Sequence, residues 1–206
     1  MLYVTTCLWD PNDKSESFSR CYDETWADKL FRAFKRNLSV EFVPVVFTDR
    51  DRNFDFPGVC QIPLRSEDLH YGCLIEPFRI GEPNIICGLD TVVLGNVDHF
   101  ADYCLSGDQL ALPRNPYDSS QSINAIALVP RGHEHIYDSW SGENDMAWLR
   151  KFPCQFIDDK WPGHVLSLKA HDVRRLGTQS ARVIYFHGNP KPHELMHLDW
   201  VRENWK

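Results

Sequence analysis

The sequence holds no run of lysine or arginine, no apolar stretch of the roughly 18 residues that cross a bilayer, and no C-x-x-C pair among its seven cysteines. Each absence removes a class. With 22 Lys+Arg against 29 Asp+Glu and a net charge of −7, non-specific nucleic-acid binding has no electrostatic footing. An odd number of scattered cysteines argues against a disulfide framework or a cysteine-rich zinc site and reads as reduced thiols. No basic region accompanies the apolar start Met1-Leu2-Tyr3-Val4, so neither a signal peptide nor a membrane span is expected, and a cytoplasmic location is. There is no internal repeat, low-complexity tract or Ser/Gly linker. At 206 residues, 43% hydrophobic and 25% charged, the expectation is one domain over 1–206 with a substantial core.

What is present alternates between strand-like and helix-like patterns. Leu2–Leu8 is an apolar strand stopped by Trp9-Asp10-Pro11-Asn12-Asp13. In the helix expected over Glu24–Asn37, Trp26, Leu30, Phe31 and Phe34, with Leu38 beyond, form one stripe at helical spacing. Asp23 or Thr25 is placed to cap this helix, and Lys35-Arg36 complement its C-terminal dipole. Residues 42–47 read as a second strand closed by Thr48-Asp49-Arg50-Asp51, which makes a βαβ unit. A third strand is expected near 59–62, a helix around 74–78, and a core strand at 85–87 that resumes at 91–94. Short strands follow at 109–112, 123–129 and 182–186, with helix or loop over 134–148 and a terminal helix over 193–205. The expected fold class is α/β, with a mostly parallel central sheet flanked by helices.

Three segments carry chemistry. In Ile85-Ile86-Cys87-Gly88-Leu89-Asp90-Thr91-Val92-Val93-Leu94 an acid stands between two apolar halves, which is costly unless the carboxylate is bonded or used. A break at Gly88 could put Asp90 at the carboxyl end of a strand, where open α/β sheets bind ligands; the alternative is a turn aspartate between two strands. In Tyr185-Phe186-His187-Gly188-Asn189-Pro190-Lys191-Pro192 a strand delivers an imidazole, followed by a stiff backbone and a cation. Imidazole suits a divalent metal and an ammonium suits phosphate; a hydrogen-bonded core histidine is the other reading. His193-Glu194-Leu195-Met196-His197 spells the H-E-x-x-H of zinc hydrolases. Only Asp199 and Glu203 remain downstream as a third ligand, and Leu195, Leu198, Val201 and Trp205 read as a packing stripe. Coincidence is the expectation there.

Taken together, the first two segments resemble glycogenin-like nucleotide-sugar glycosyltransferases of the GT-A fold, most closely short phage and bacterial members. Leu89-Asp90-Thr91-Val92-Val93-Leu94-Gly95-Asn96-Val97-Asp98 is similar to their D-x-D-T metal segment, and Phe186-His187-Gly188-x-x-Lys191-Pro192 to their C-terminal motif. Ser122-Ile123-Asn124-Ala125-Ile126-Ala127-Leu128 looks like their strand beside the donor sugar. The resemblance implies transfer from a uridine diphosphate sugar to an unknown acceptor, assisted by Mn2+ or Mg2+, with retention. Under it Asp90 and His187 are metal ligands, Gly188 and Lys191 cradle the diphosphate, and Asp90, Asn124 and Gln155 form the catalytic set. Thr5, Thr6, Trp9 and Tyr22 would hold the base, and Thr48 and Asp49 the base or ribose. Three departures stand out: Gly88 replaces the first acid of D-x-D, Leu74 stands where a lysine is usual, and Cys154 precedes Gln155 where an aspartate is usual. A catalytically degenerate fold that only binds is therefore the alternative. The aromatic, acidic stretch 137–148 either borders the acceptor or packs as a surface helix.

Overall fold

A computed structural model describes residues 1–206. Its strands are β1 (Leu2–Leu8), β2 (Phe42–Thr48), β3 (Cys60–Pro63), β4 (Asn84–Cys87), β5 (Val92–Val93), β6 (Ala111–Leu112), β7 (Arg114–Asn115), β8 (Asp118–Ser122), β9 (Ile126–Val129), β10 (Gln155–Phe156), β11 (Val165–Ser167) and β12 (Val183–Tyr185). The central sheet has the order β10-β6-β9-β4-β1-β2-β3. Within it β9 alone runs against its neighbours, and every other pairing is parallel. The expected α/β class with a mostly parallel sheet is what the chain adopts.

The βαβ unit forms as its pattern dictates. Leu2 stands opposite Phe42 and Leu8 opposite Thr48. Between these strands α1 (Glu24–Asn37) buries Trp26, Leu30, Phe31 and Phe34, and the Asp23 carboxylate accepts the Thr25 N–H as its cap. Side chains alternate across a strand, so the apolar runs of β4 and β9 feed both faces of the sheet. Ile85, Ile126 and Leu128 join α1 and α2 (Asp98–Ser106) on one face; Ile86, Ala127 and Val129 meet the 3-10 helix Tyr71–Ile80 and the helices His135–Asp138 and Asp145–Leu149 on the other. No helix is long and apolar enough to cross a membrane.

Four expectations need correction. The strand at 91–94 does not extend β4. After Asp90 the chain leaves the sheet, and β5 pairs antiparallel with β12 in a separate sheet of order β11-β12-β5. The helix near 74–78 is a longer 3-10 helix with Pro77 inside it, since proline removes an α-helical donor. The terminal helix is broken into a 3-10 turn, Pro192–Leu195, and a short α-helix, Asp199–Asn204. The Glu194 carboxylate accepts the Lys191 N–H at 2.6 Å and ends the first piece's freedom, and the second piece turns so that Trp205 packs on Trp26 at 4.9 Å between centroids. Finally, a polar hairpin of β7 and β8 stands where no strand was expected.

Candidate functional site

The carboxyl ends of β1 and β4 meet the start of β9 and the segment after β12 around one pocket of about 420 Å³. This is the edge of an open α/β sheet that gathers ligands, because a strand ending there leaves its following turn free to face the crevice. Leu8 ends β1 and Trp9 follows it, Gly88 and Asp90 come from the turn after β4, Asn124 from the approach to β9, and His187, Gly188 and Lys191 from the segment after β12. Phe18 and Tyr22, just before α1, and Tyr71 and Tyr117 complete an aromatic wall. Such rings suit the face of a base or sugar.

Asp90 anchors the polar end. Its Oδ2 accepts from the Tyr22 hydroxyl at 2.7 Å and forms an ion pair with the Lys191 ammonium. The lysine side chain is 1% exposed and the aspartate 14%, so the pair is largely out of water and each charge depends on the other. The same ammonium lies 4.6 Å from the centre of the Phe18 ring, a cation–π contact that adds to its hold. Burial and the neighbouring Asp90 charge both push the Tyr22 hydroxyl up from its ordinary pKa, which keeps it a donor.

His187 is held from both sides. The Tyr117 hydroxyl lies 3.2 Å from its Nε2 and the Ser167 hydroxyl 3.3 Å from its Nδ1. Burial first, then the charges of Lys169 and Lys191, lower its pKa below the ordinary imidazole value, so it is neutral near pH 7. Gly188 has φ +61, a conformation that favours glycine. A Cβ there would stand 3.2 Å from the Lys169 Nζ, which brings a second ammonium to this turn. Arg150 also lines the pocket and donates from Nε to the Ser122 carbonyl at 3.0 Å.

Of the residues expected to hold the donor, Trp9, Tyr22, Asp90, Asn124, His187, Gly188 and Lys191 line the pocket together. Asn124 donates to Asp145 Oδ2 at 3.0 Å, and burial raises the Asp145 carboxyl above its usual pKa. Thr5, Thr6, Thr48, Asp49 and Gln155 do not reach the pocket wall. Thr5 and Thr6 are fully buried in β1, where the Thr5 hydroxyl donates to Asn84 at 2.6 Å. Thr48 and Asp49 serve the buried Arg52 guanidinium, which donates to both and to Asp10 and Glu24. Burial alone would raise the Asp49 carboxyl, but the Asp10 N–H and Arg52 outweigh it and hold it low. Gln155 lies in edge strand β10, beside β6. Leu74 does line the pocket and presents an apolar side chain to it. In the stretch 137–148, Met146 reaches the pocket, whereas Trp148 is buried and donates to the Ile136 carbonyl.

Phe18, Tyr71, Tyr117, Arg150 and Lys169 were not singled out in the sequence. All five sit outside the long apolar runs, and no local spacing marks them. His193 and His197 are both exposed, on and beyond a 3-10 turn whose Glu194 is spent on the Lys191 N–H. Three residues per turn do not align positions i and i+4, so the H-E-x-x-H spelling does not build a zinc site.

A divalent cation does not fit the residues present. No three His, Cys, Asp or Glu side chains come together anywhere in the chain as a metal set. Asp90 already takes an ammonium and a hydroxyl on one oxygen, both His187 nitrogens have hydroxyl neighbours, and a Cβ on Gly88 would stand 3.0 Å from Asp90 Oδ1. A cation bound to Asp90 would have to displace Lys191 and strand its ammonium in a desolvated site.

Fold and pocket together define an α/β domain with a mostly parallel sheet and a crevice at the carboxyl edge of that sheet. No protein-family model and no curated protein matches the sequence. Solved structures match its fold. The chain is similar to the galactosyltransferase LgtC in complex with donor and acceptor sugar analogues, with TM-score 0.62 and 8% identity over 100% of this chain and 97% of that one. It is also similar to the glycosyltransferase GlyE of Streptococcus pneumoniae TIGR4, with TM-score 0.63 and 9% identity over 98% of this chain and 62% of GlyE. The bifunctional glycosyltransferase WbbM gives TM-score 0.59 and 9% identity over 98% of this chain. The chain spans half the length of WbbM and less than two thirds of GlyE. At these identities the likeness is one of fold.

Proposed function

We propose that the protein transfers a sugar from a nucleoside diphosphate donor to an acceptor hydroxyl. The observation that carries this reading is the pocket itself. In a chain of net charge −7, its wall presents Lys191 and Arg150 against one carboxylate, Asp90, beside an aromatic face of Trp9, Tyr22, Tyr71 and Tyr117. Cations there meet phosphates, and the rings meet a base or sugar. The sequence resemblance supports uridine diphosphate as the carrier and retention at the sugar carbon.

Chemically, the bond from sugar C1 to the phosphate oxygen breaks, and its electron pair stays on the phosphate. The acceptor oxygen forms the new bond to C1. Preorganised positive charge lowers this barrier because it meets charge that grows only in the transition state. Since Asp90 is the only acid on the wall and is already paired, the acceptor proton goes to the departing phosphate oxygen. Asn124 and His187 border the donor from the pocket wall, His187 as a neutral ring held by the Tyr117 and Ser167 hydroxyls.

Titration calorimetry with uridine diphosphate, followed by a donor screen for hydrolysis and transfer, tests the reading. Micromolar binding with sugar release supports it, and no binding overturns it. One observation favours a second reading: Leu74 and Gly88, both on the pocket wall, replace polar groups of the resembled family. A fold that binds without chemistry would titrate with uridine diphosphate yet release no sugar from any donor.

A further inference from the structure

We infer that this site works without a divalent cation, and that the Lys191 and Lys169 ammonium groups with the Gly188 N–H supply the positive charge that would otherwise come from one. The inference rests on the donor reading above and departs from the metal expected by resemblance. Its basis is the disagreement between that expectation and the side chains present.

Where a metal would sit, the chain places a fixed cation. Lys191 is bonded to Asp90, the one carboxylate of the pocket, and packed over the Phe18 ring, with almost no exposure. Gly88 leaves no second carboxylate, and the nearby Asp90 Oδ1 leaves little room for one, at 3.0 Å from a built Cβ. A metal site needs an excess of negative ligands, whereas an ammonium needs only its single counter-ion.

Lys169 supplies the second charge. It is exposed, forms no ion pair or side-chain hydrogen bond, and its Nζ reaches the outer side of the Gly188 turn. The positive φ of Gly188 belongs to the backbone turns that present N–H groups to anions. With Asp90 holding one unit of positive charge in place, Lys169 remains uncompensated and free to close on a phosphate.

The chemical step stays balanced under this assignment. The C1–oxygen bond breaks with its electron pair on the phosphate, two ammonium groups and an amide meet that charge, and no redox partner or co-reactant is required.

The test is calorimetry on the full chain with uridine diphosphate, first in EDTA and then with excess manganese. Uridine serves as the phosphate-free control. The expected result is equal affinity in both conditions. For Lys169→Met we expect about a tenfold loss for uridine diphosphate, as for one charged hydrogen bond, and no change for uridine. Binding that needs manganese overturns the inference and leaves the donor reading standing. Absence of binding in both conditions overturns the donor reading and the inference with it. An unchanged affinity of Lys169→Met removes the second lysine from the assignment. Because Lys169 is exposed, that variant tests the charge without disturbing the fold, and a thermal melt alongside confirms it.

Discussion

At the scale of single residues, the Asp90–Lys191 pair governs both stability and site. Two charges taken out of water are tolerable together and costly apart. Asp90→Asn is expected to destabilise the protein by about 3 kcal/mol, because it leaves a buried ammonium unpaired. The double variant Asp90→Asn with Lys191→Met should recover most of that loss, and denaturant unfolding of the three proteins checks both statements. Gly88→Asp is expected to cost about 1–3 kcal/mol by overpacking, since its Cβ stands 3.0 Å from Asp90 Oδ1 and its charge repels the same group; a denaturation midpoint at or above the parent's would refute this. Asp90, His187 and Lys191 were legible in the sequence because each is an odd polar group set in an apolar or proline-rich context. Lys169 was not. Its role depends on a turn made by residues around Gly188, nineteen positions away by sequence numbering, and nothing local to 169 records that proximity.

At the scale of elements, legibility followed length. The seven-residue strands β1 and β2 and the fourteen-residue helix α1 carry enough periodic apolar residues to declare themselves. The two-residue strands β5 and β6 fall inside the longer strands expected at 91–94 and 109–112, whereas β10 holds too little pattern to be read and is a strand only because a neighbour offers hydrogen bonds. The β7–β8 hairpin is polar throughout, yet it brings Tyr117 to His187. Elements also carry a pH response. His99 at the start of α2 lies with its Nε2 3.0 Å from His164 Nδ1, just before β11. Burial first, then the His164 and Arg182 charges, push His99 down to about 4 from its ordinary 6.5. The folded state therefore binds fewer protons than the unfolded chain between these values, so stability rises with pH across that window. It is full above 6.5 and lost as pH falls toward 4. Melting temperatures between about pH 7 and pH 4 should fall accordingly, and His99→Phe should flatten the slope.

At the scale of the whole molecule, charge is distributed against its average. A protein of net charge −7 sets Lys191 and Arg150 in the wall of one crevice, with Lys169 beside the Gly188 turn, and these cations should be felt through screening. Affinity for uridine diphosphate is expected to weaken as salt rises, because partly exposed charges are screened within about 8 Å at physiological ionic strength; affinity for uridine should not change. Equal salt responses of the two ligands would show that the phosphates do not meet these cations. The sheet order and the crevice at its carboxyl edge follow from the βαβ start, which is why the general architecture was readable. The failure of Thr5, Thr48 and Asp49 to line the pocket was not. Their burial and their bonds to Asn84 and Arg52 depend on partners brought in by the completed fold.

The ion pair at the centre of the pocket joins residues 101 positions apart. During synthesis, every strand of the sheet emerges before Lys191 does. A nascent chain can assemble its framework and still hold an orphan aspartate where the ligand belongs. A proteolytic cut ahead of Lys191 would leave Asp90 without its ammonium and strip Leu195, Val201 and Trp205 from the main core.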